Sequence, residues 1–165
     1  MYKRQPIASW DEWPENARDI FQAFRSPAGE EMVLEKNLFV EAVLPSAMIC
    51  DLAPEAHDEY RRPFSEPGEG RRPTLTWPRE IPVAGEPADV VSITSAYADF
   101  MASARFPKLF VNAEPGAILT GPQRQFCRTW PNQTEVTVAG SHFVQEDSAH
   151  AVSYTHLTLP TKRIV

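Results

Sequence analysis

Leu109-Phe110-Val111, continued by Asn112-Ala113-Glu114 and closed by the turn pair Pro115-Gly116, is a short uninterrupted apolar run bounded by turn residues. Such a run reads as a strand buried on both faces of a parallel sheet. Glu135 to Val138 alternates around Val136 as a second strand that ends at Ala139-Gly140. Between them, Gly121 to Trp130 is helical and Pro131-Asn132 breaks it. Upstream, Ala88 to Ala104 predicts a helix with Val90, Val91, Ile93, Tyr97, Phe100 and Met101 on its apolar side, ended by Pro107. Helix, strand, loop, helix, strand is a right-handed crossover unit, so the fold class is α/β.

Before Pro87 the pattern is helical and proline-punctuated. Asp11 to Phe24 opens with Asp11-Glu12 and Pro14, then spaces Ala17, Ile20, Phe21, Ala23 and Phe24 as an amphipathic helix does. Met32 to Leu44 reads as one or two helices broken at Asn37 and Pro45, and Ala53 to Arg62 as a short polar helix. Pro63 to Pro73 is loop, after which Leu75, Trp77 and Ile81 among Pro73, Pro78 and Pro82 suit a proline-bounded helical turn.

With 165 residues, 42% hydrophobic and 23% charged, the composition is that of a globular domain and excludes disorder, collagen and coiled coil. A net charge of -6 disfavours nucleic acid or an anionic membrane held by a general positive field. No apolar stretch approaches the roughly 20 residues of a membrane span. Trp10-Asp11-Glu12-Trp13 interrupts the place where a signal peptide would carry its apolar core, so the expected compartment is the cytoplasm. Cys50 and Cys127 are too few and too distant for a disulfide framework or a cysteine zinc site.

The two ends read as translated sequencing adapter. Tyr2-Lys3-Arg4-Gln5 can be written TAT AAG AGA CAG; with a GTG start ahead of it, the reverse complement yields Val-Ser-Tyr-Thr, which is Val152-Ser153-Tyr154-Thr155. Residues 1 to 5 and 152 to 165 are therefore set apart, and the basic residues Lys3, Arg4, Lys162 and Arg163 go with them. What remains is more acidic still.

Ligands of open α/β sheets bind beyond the carboxyl ends of the strands, which here means Asn112 to Leu119 and Ser141 to Ser148. His142 lies in the second of these and can act as a general base near neutral pH; the alternative is a loop histidine tied to backbone. Glu114 could orient it, or could simply solvate the turn. A nucleophile elbow needs glycines two residues to either side, and the glycines at 29, 68, 70, 85, 116, 121 and 140 supply no such pair. No histidine or cysteine pair has metal-ligand spacing, and no metal or other cofactor is expected.

Two segments, Glu114-Pro115-Gly116-Ala117-Ile118 and Trp130 through Gly140-Ser141-His142-Phe143-Val144-Gln145-Glu146-Asp147, resemble the C-terminal part of haloalkane dehalogenases of the α/β-hydrolase superfamily. Trp10 to Pro14, Phe21 to Arg25, Leu44-Pro45, Tyr60 to Phe64 and Pro82 to Pro87 resemble that family's helical cap. The resemblance implies a partial α/β-hydrolase fold, with the cap at residues 6 to 85 and the last two strands of the core, with flanking helices, at 86 to 151. It implies hydrolysis of a carbon–halogen bond through an aspartyl ester, with His142 activating the water that cleaves the ester. It implies an apolar pocket for a small halogenated substrate, walled by Trp13, Phe21, Phe24, Phe39, Val43 and Ile81 from the cap and by Ala117, Ile118 and Phe143 from the core. The family's aspartate, orienting acid and halide-binding groups would all precede Pro6, so this chain alone is expected to be inactive, and the full-length parent to be a monomer. An epoxide hydrolase is the nearest rival but needs cap tyrosines, for which only Tyr60 and Tyr97 stand outside the set-aside ends. Another α/β-hydrolase, an esterase or lipase with its serine elbow upstream, is a further alternative, and a catalytically inactive structural fragment is the rival from another class.

Overall fold

The computed structural model describes residues 7–157, with backbone alone for 154–157. The first of the two sequence regions is built of helices and loops, with only isolated β-bridges of Val83 to Ile7 and Glu86 among its described residues. Trp10–Glu12 forms a single 3-10 turn, and α1 follows at Glu15–Arg25. The one helix expected over residues 11 to 24 is thus two pieces, because a residue ahead of proline is driven out of the helical region. Trp13 indeed sits at φ -80°, ψ 144°.

The α-helical turn Ala28–Glu30 passes into a π-helical segment over Glu31–Glu35, and a second π-helical segment, Phe39–Val43, passes into the α-helical turn Leu44–Ser46. The expected break at Asn37 is present as a left-handed residue, φ 55°, a conformation asparagine tolerates. Pro45 does not break the chain but lies inside the turn Leu44–Ser46. Helices α2 (Pro54–Arg61) and α3 (Arg72–Arg79) complete this layer. The expected loop between them contains two 3-10 turns, Arg62–Phe64 and Glu69–Arg71. Its anchor is Arg71, 6% exposed, whose guanidinium donates to the carbonyls of Leu34, Glu35, Phe64 and Ser65 at 2.8–3.0 Å.

The hydrophobic core lies in this helical layer. Ile7, Trp13, Phe21, Phe24, Val33, Leu34, Val43, Leu75, Ile81 and Val83 pack as one cluster. Rings run through it as a chain of tilted and edge-on contacts, Trp10 to Trp13 to Phe21 to Phe24 to Phe39 to Trp77, with centroids 4.9–6.3 Å apart.

Helix α4 (Ala88–Ser103) leads to strand β1 (Lys108–Pro115), helix α5 (Gly121–Arg128) and strand β2 (Gln133–Gly140). The strands pair in parallel, Lys108 opposite Gln133 through to Pro115 opposite Gly140. Short α6 (Val144–Asp147) and α7 (Ala149–Leu157) follow. Two expectations change here. β1 is not buried on both faces: Lys108, Phe110 and Asn112 are buried while Leu109 is 38% exposed. The supposed apolar side of α4 is split, since Ala98 and Met101 are buried but Ile93 and Phe100 face solvent. The reason is the same in both: among the described residues β1 has only β2 beside it, so no layer closes over that face. The adapter reading of residues 1 to 5 lies outside the described residues, as does its part from 158 onward; residues 152–157 are the end of α7.

Candidate functional site at the carboxyl ends of the strands

Parallel strands bring their carboxyl ends to one edge, and the two loops leaving that edge lie side by side. β1 exits through Gly116, whose φ of 75° and tight surroundings exclude a side chain: a Cβ there would come within 2.8 Å of the Ala113 carbonyl oxygen and an Arg124 nitrogen. Arg124 then fixes this loop, donating to the carbonyls of Ala113, Pro115 and Leu119 and to the Glu114 carboxylate at 2.9–3.0 Å. Glu114 is therefore engaged by Arg124, and its side chain is 60% exposed. It lines neither of the cavities described next.

β2 exits at Gly140 into Ser141-His142-Phe143. The backbone N–H groups of His142 and Phe143 both donate to the Ala47 carbonyl, at 2.9 and 3.4 Å, which presses this loop against the helical layer. The His142 and Phe143 rings meet edge to face, 4.8 Å between centroids and 81° between planes.

Between the two layers lies a cavity of about 320 Å³. Its walls include Trp13, Phe21, Phe39 and Val43 from the helical layer, and Ala117, Ile118, His142 and Phe143 from the two strand-end loops. A smaller cavity of about 100 Å³ lies on the strand side of Ala117, Ile118, Ser141 and His142. His142 thus borders both. A volume near 320 Å³, walled mainly by hydrocarbon with an imidazole at one side, suits a small apolar molecule and a group that can accept a proton from water.

Phe24 and Ile81, expected in the pocket wall, are not part of this lining. Phe24 is fully buried behind Phe21 and Phe39, and Ile81 is 7% exposed in the core, its carbonyl taken by Arg25. Both lie on the correct apolar face, but one layer too deep. Conversely, the cavity also draws on Asn16, Ala17, Ile20, Ala42, Ser46, Ala47, Trp77 and Ser141, which the sequence reading did not nominate. For Ala17 and Ile20 the helical spacing from Phe21 and Phe24 was an available signal. For Ser141 its place just beyond the second strand was another; for Ala47 none was, because it enters through a tertiary backbone contact.

Among the described residues no helix is long and apolar enough to cross a membrane. No family model matches the chain. Known proteins do. A haloalkane dehalogenase of Sphingobium indicum is 60% identical over 139 residues, which cover 84% of this chain and 47% of that protein. A coelenterazine h 2-monooxygenase of Renilla reniformis is 47% identical over 148 residues, 86% of this chain and 46% of that protein. The crystal structure of the haloalkane dehalogenase DbeA from Bradyrhizobium elkani superposes with a TM-score of 0.85 at 37% identity, covering 92% of this chain and 54% of that one. The chain thus spans about half the length of the curated relatives it matches. Helical layer, parallel strand pair and the cavity between them, together with this degree of identity, make the chain a partial homologue of the haloalkane dehalogenases, carrying part of their α/β-hydrolase fold.

Proposed function

We propose that this chain is the cap and last core portion of a hydrolase that cleaves carbon–halogen bonds, with residues 6 to 85 as cap and 86 to 151 as core. The observation that supports it most directly is His142 at the wall of an apolar cavity, at the carboxyl ends of two parallel strands and opposite Phe21 and Phe39. In the reaction, a carboxylate oxygen of an aspartate supplied by the rest of the enzyme attacks the halogen-bearing carbon, and halide leaves with the bonding pair. Water then adds to the carbonyl of the resulting ester while the His142 imidazole takes its proton; collapse releases the alcohol and regenerates the carboxylate. The imidazolium returns its proton to solvent.

The chemistry places few demands on the pocket beyond dryness and shape. A halogenated alkane offers little hydrogen bonding and is held by burial of apolar surface, worth about 25 cal/mol per Å². Among the described residues no tyrosine lines the cavity, and Tyr60 donates instead to Glu146 at 2.6 Å. That disfavours epoxide opening, which needs a phenol at the ring oxygen. One relative of this chain is a coelenterazine h 2-monooxygenase, so the test must read the ester step itself.

Residues 6 to 151 are joined to the preceding half of the Sphingobium indicum relative and halide release from a bromoalkane is followed. Steady turnover is expected, whereas His142→Gln should release about one equivalent of bromide per enzyme in a burst and then turn over roughly 10²–10⁴-fold more slowly. Turnover undiminished in His142→Gln would overturn the role of His142. Halide release by the 165-residue chain alone would overturn the view that its nucleophile lies elsewhere.

A further inference from the structure

The loop that carries His142 meets the helical layer at the Ala47 carbonyl and, just beyond, at a carboxylate bonded to both layers. Asp147 ends α6, five residues beyond His142. Its Oδ1 accepts from the backbone N–H groups of Ile49 at 2.8 Å and Cys50 at 3.1 Å, and its Oδ2 accepts from the N–H of Ser141 at 2.8 Å. Each oxygen therefore serves a different layer. Ser141 precedes His142, and Ile49 and Cys50 follow Ala47, whose carbonyl receives the His142 and Phe143 N–H groups. Ala47, Ser141 and His142 all border the larger cavity. Gly140 makes room for the arrangement: a Cβ there would stand 3.1 Å from Val144 Cγ1 and 3.4 Å from Asp147 Oδ2. Burial pushes the Asp147 carboxyl up, but the N–H groups of Ser141, Cys50 and Ile49 outweigh it and hold the group below its ordinary value.

We propose that Asp147 is a positioning residue, whose carboxylate bridges residues 49–50 to Ser141 and so sets the His142 ring in register with the cap wall of the cavity. The inference rests on the reading of His142 as the water-activating base. Shape alone cannot perform the task. A carboxylate accepts through both oxygens, whereas an amide of the same outline accepts through one and presents N–H groups where the other stood. Asp147→Asn can hold one loop and must release the other.

The experiment uses the 165-residue chain, with amide exchange read at Ile49, Cys50 and Ser141 and the His142 ring followed by long-range proton–nitrogen NMR. Asp147→Asn is expected to accelerate exchange about tenfold or more, either at Ile49 and Cys50 or at Ser141, and to move the His142 ring resonances. Exchange in the ladder between Val111 and Val136 should be unchanged. Gly140→Ala, which crowds the same carboxylate, should move the same resonances in a protein that keeps Asp147. Uniform acceleration that includes the ladder would mean general destabilisation and overturns the proposal, as do unmoved ring resonances in both variants. The base reading fails separately, if His142→Gln in the joined enzyme sustains turnover; shifted ring resonances alongside that result would leave Asp147 as a coupler of two loops with no part in catalysis.

Discussion

The two regions of this molecule solve the burial problem differently. Residues 7–83 contain the whole of the main hydrophobic cluster, with Phe24, Val33 and Leu75 at 0% exposure. Residues 88–157 bury Ala98, Met101, Phe110, Cys127 and Val138 but leave Ile93 68%, Phe100 55% and Phe106 46% exposed. A helical layer can close on itself, because each short helix needs only one neighbour for its apolar stripe. A parallel strand pair cannot, since both faces and both edges call for further elements. The cavity lies where the self-sufficient layer meets the incomplete one. Its cap wall is held by core packing, its strand-side wall largely by polar ties from Arg124 and Asp147.

The largest expected effect comes from substituting equivalent residues on the two sides. Phe24→Ala removes a fully buried ring from the centre of the aromatic chain and should cost about 3–5 kcal/mol in urea unfolding. Phe100→Ala, on the exposed side of α4, should stay within about 0.5 kcal/mol. Equal losses would mean that the two regions share one core.

Arg71→Met is the next in size. It removes the donor to four carbonyls, that of Leu34 buried and the other three partly so, and stability measured by the same titration should fall by about 1–3 kcal/mol. The apolar stem is kept, so the loss reports the hydrogen bonds more than the packing. An unchanged midpoint would show that those carbonyls find water instead.

The smallest effect is electrostatic and confined to the helical layer. Hydrogen bonds from Arg61 hold the Glu41 carboxyl below its ordinary value against the opposing push of burial, with the charge of Arg61 adding to them. A carboxyl depressed in the folded state stabilises above its unfolded value, and that contribution is lost as pH falls through the folded value. Helical signal followed through acid should therefore weaken below the usual carboxylate range, near pH 4. Because the pair is partly exposed, Glu41→Gln should cost only about 0.5 kcal/mol at neutral pH and flatten the acid limb. An acid limb unchanged by the substitution would assign the sensitivity to other carboxylates.

Much of the architecture was legible because its causes are local. Val111 and Val136 lie in apolar or alternating runs bounded by Pro, Gly and Asn, and the strands form there and pair in parallel. Asn37 interrupts the helical path where its own conformational tolerance allows. Pro14 does so too, but its effect on Trp13 was underestimated, so the first helix is shorter than its apolar spacing suggests. The cavity was only partly legible. Phe21 and Phe24 stand three residues apart on one face of α1, and nothing in that spacing says that one meets the cavity while the other is sealed behind it. Trp77 went unnominated for the same reason: it is 48% exposed on a proline-rich helix, and only its edge-on contact with Phe39 brings it to the wall.

The order of residues alone determined where the backbone can be helical or extended, which residues break it, and that an imidazole follows the second strand. Those properties depend on backbone sterics and on apolar periodicity within a few residues. Only the tertiary structure decided which apolar side chains become wall and which become core, and that Asp147 would reach across to residues 49 and 50. A cavity is the space left where three distant segments fail to interlock, and a bridging carboxylate needs donors from both sides of that space. Neither has any representation in local sequence.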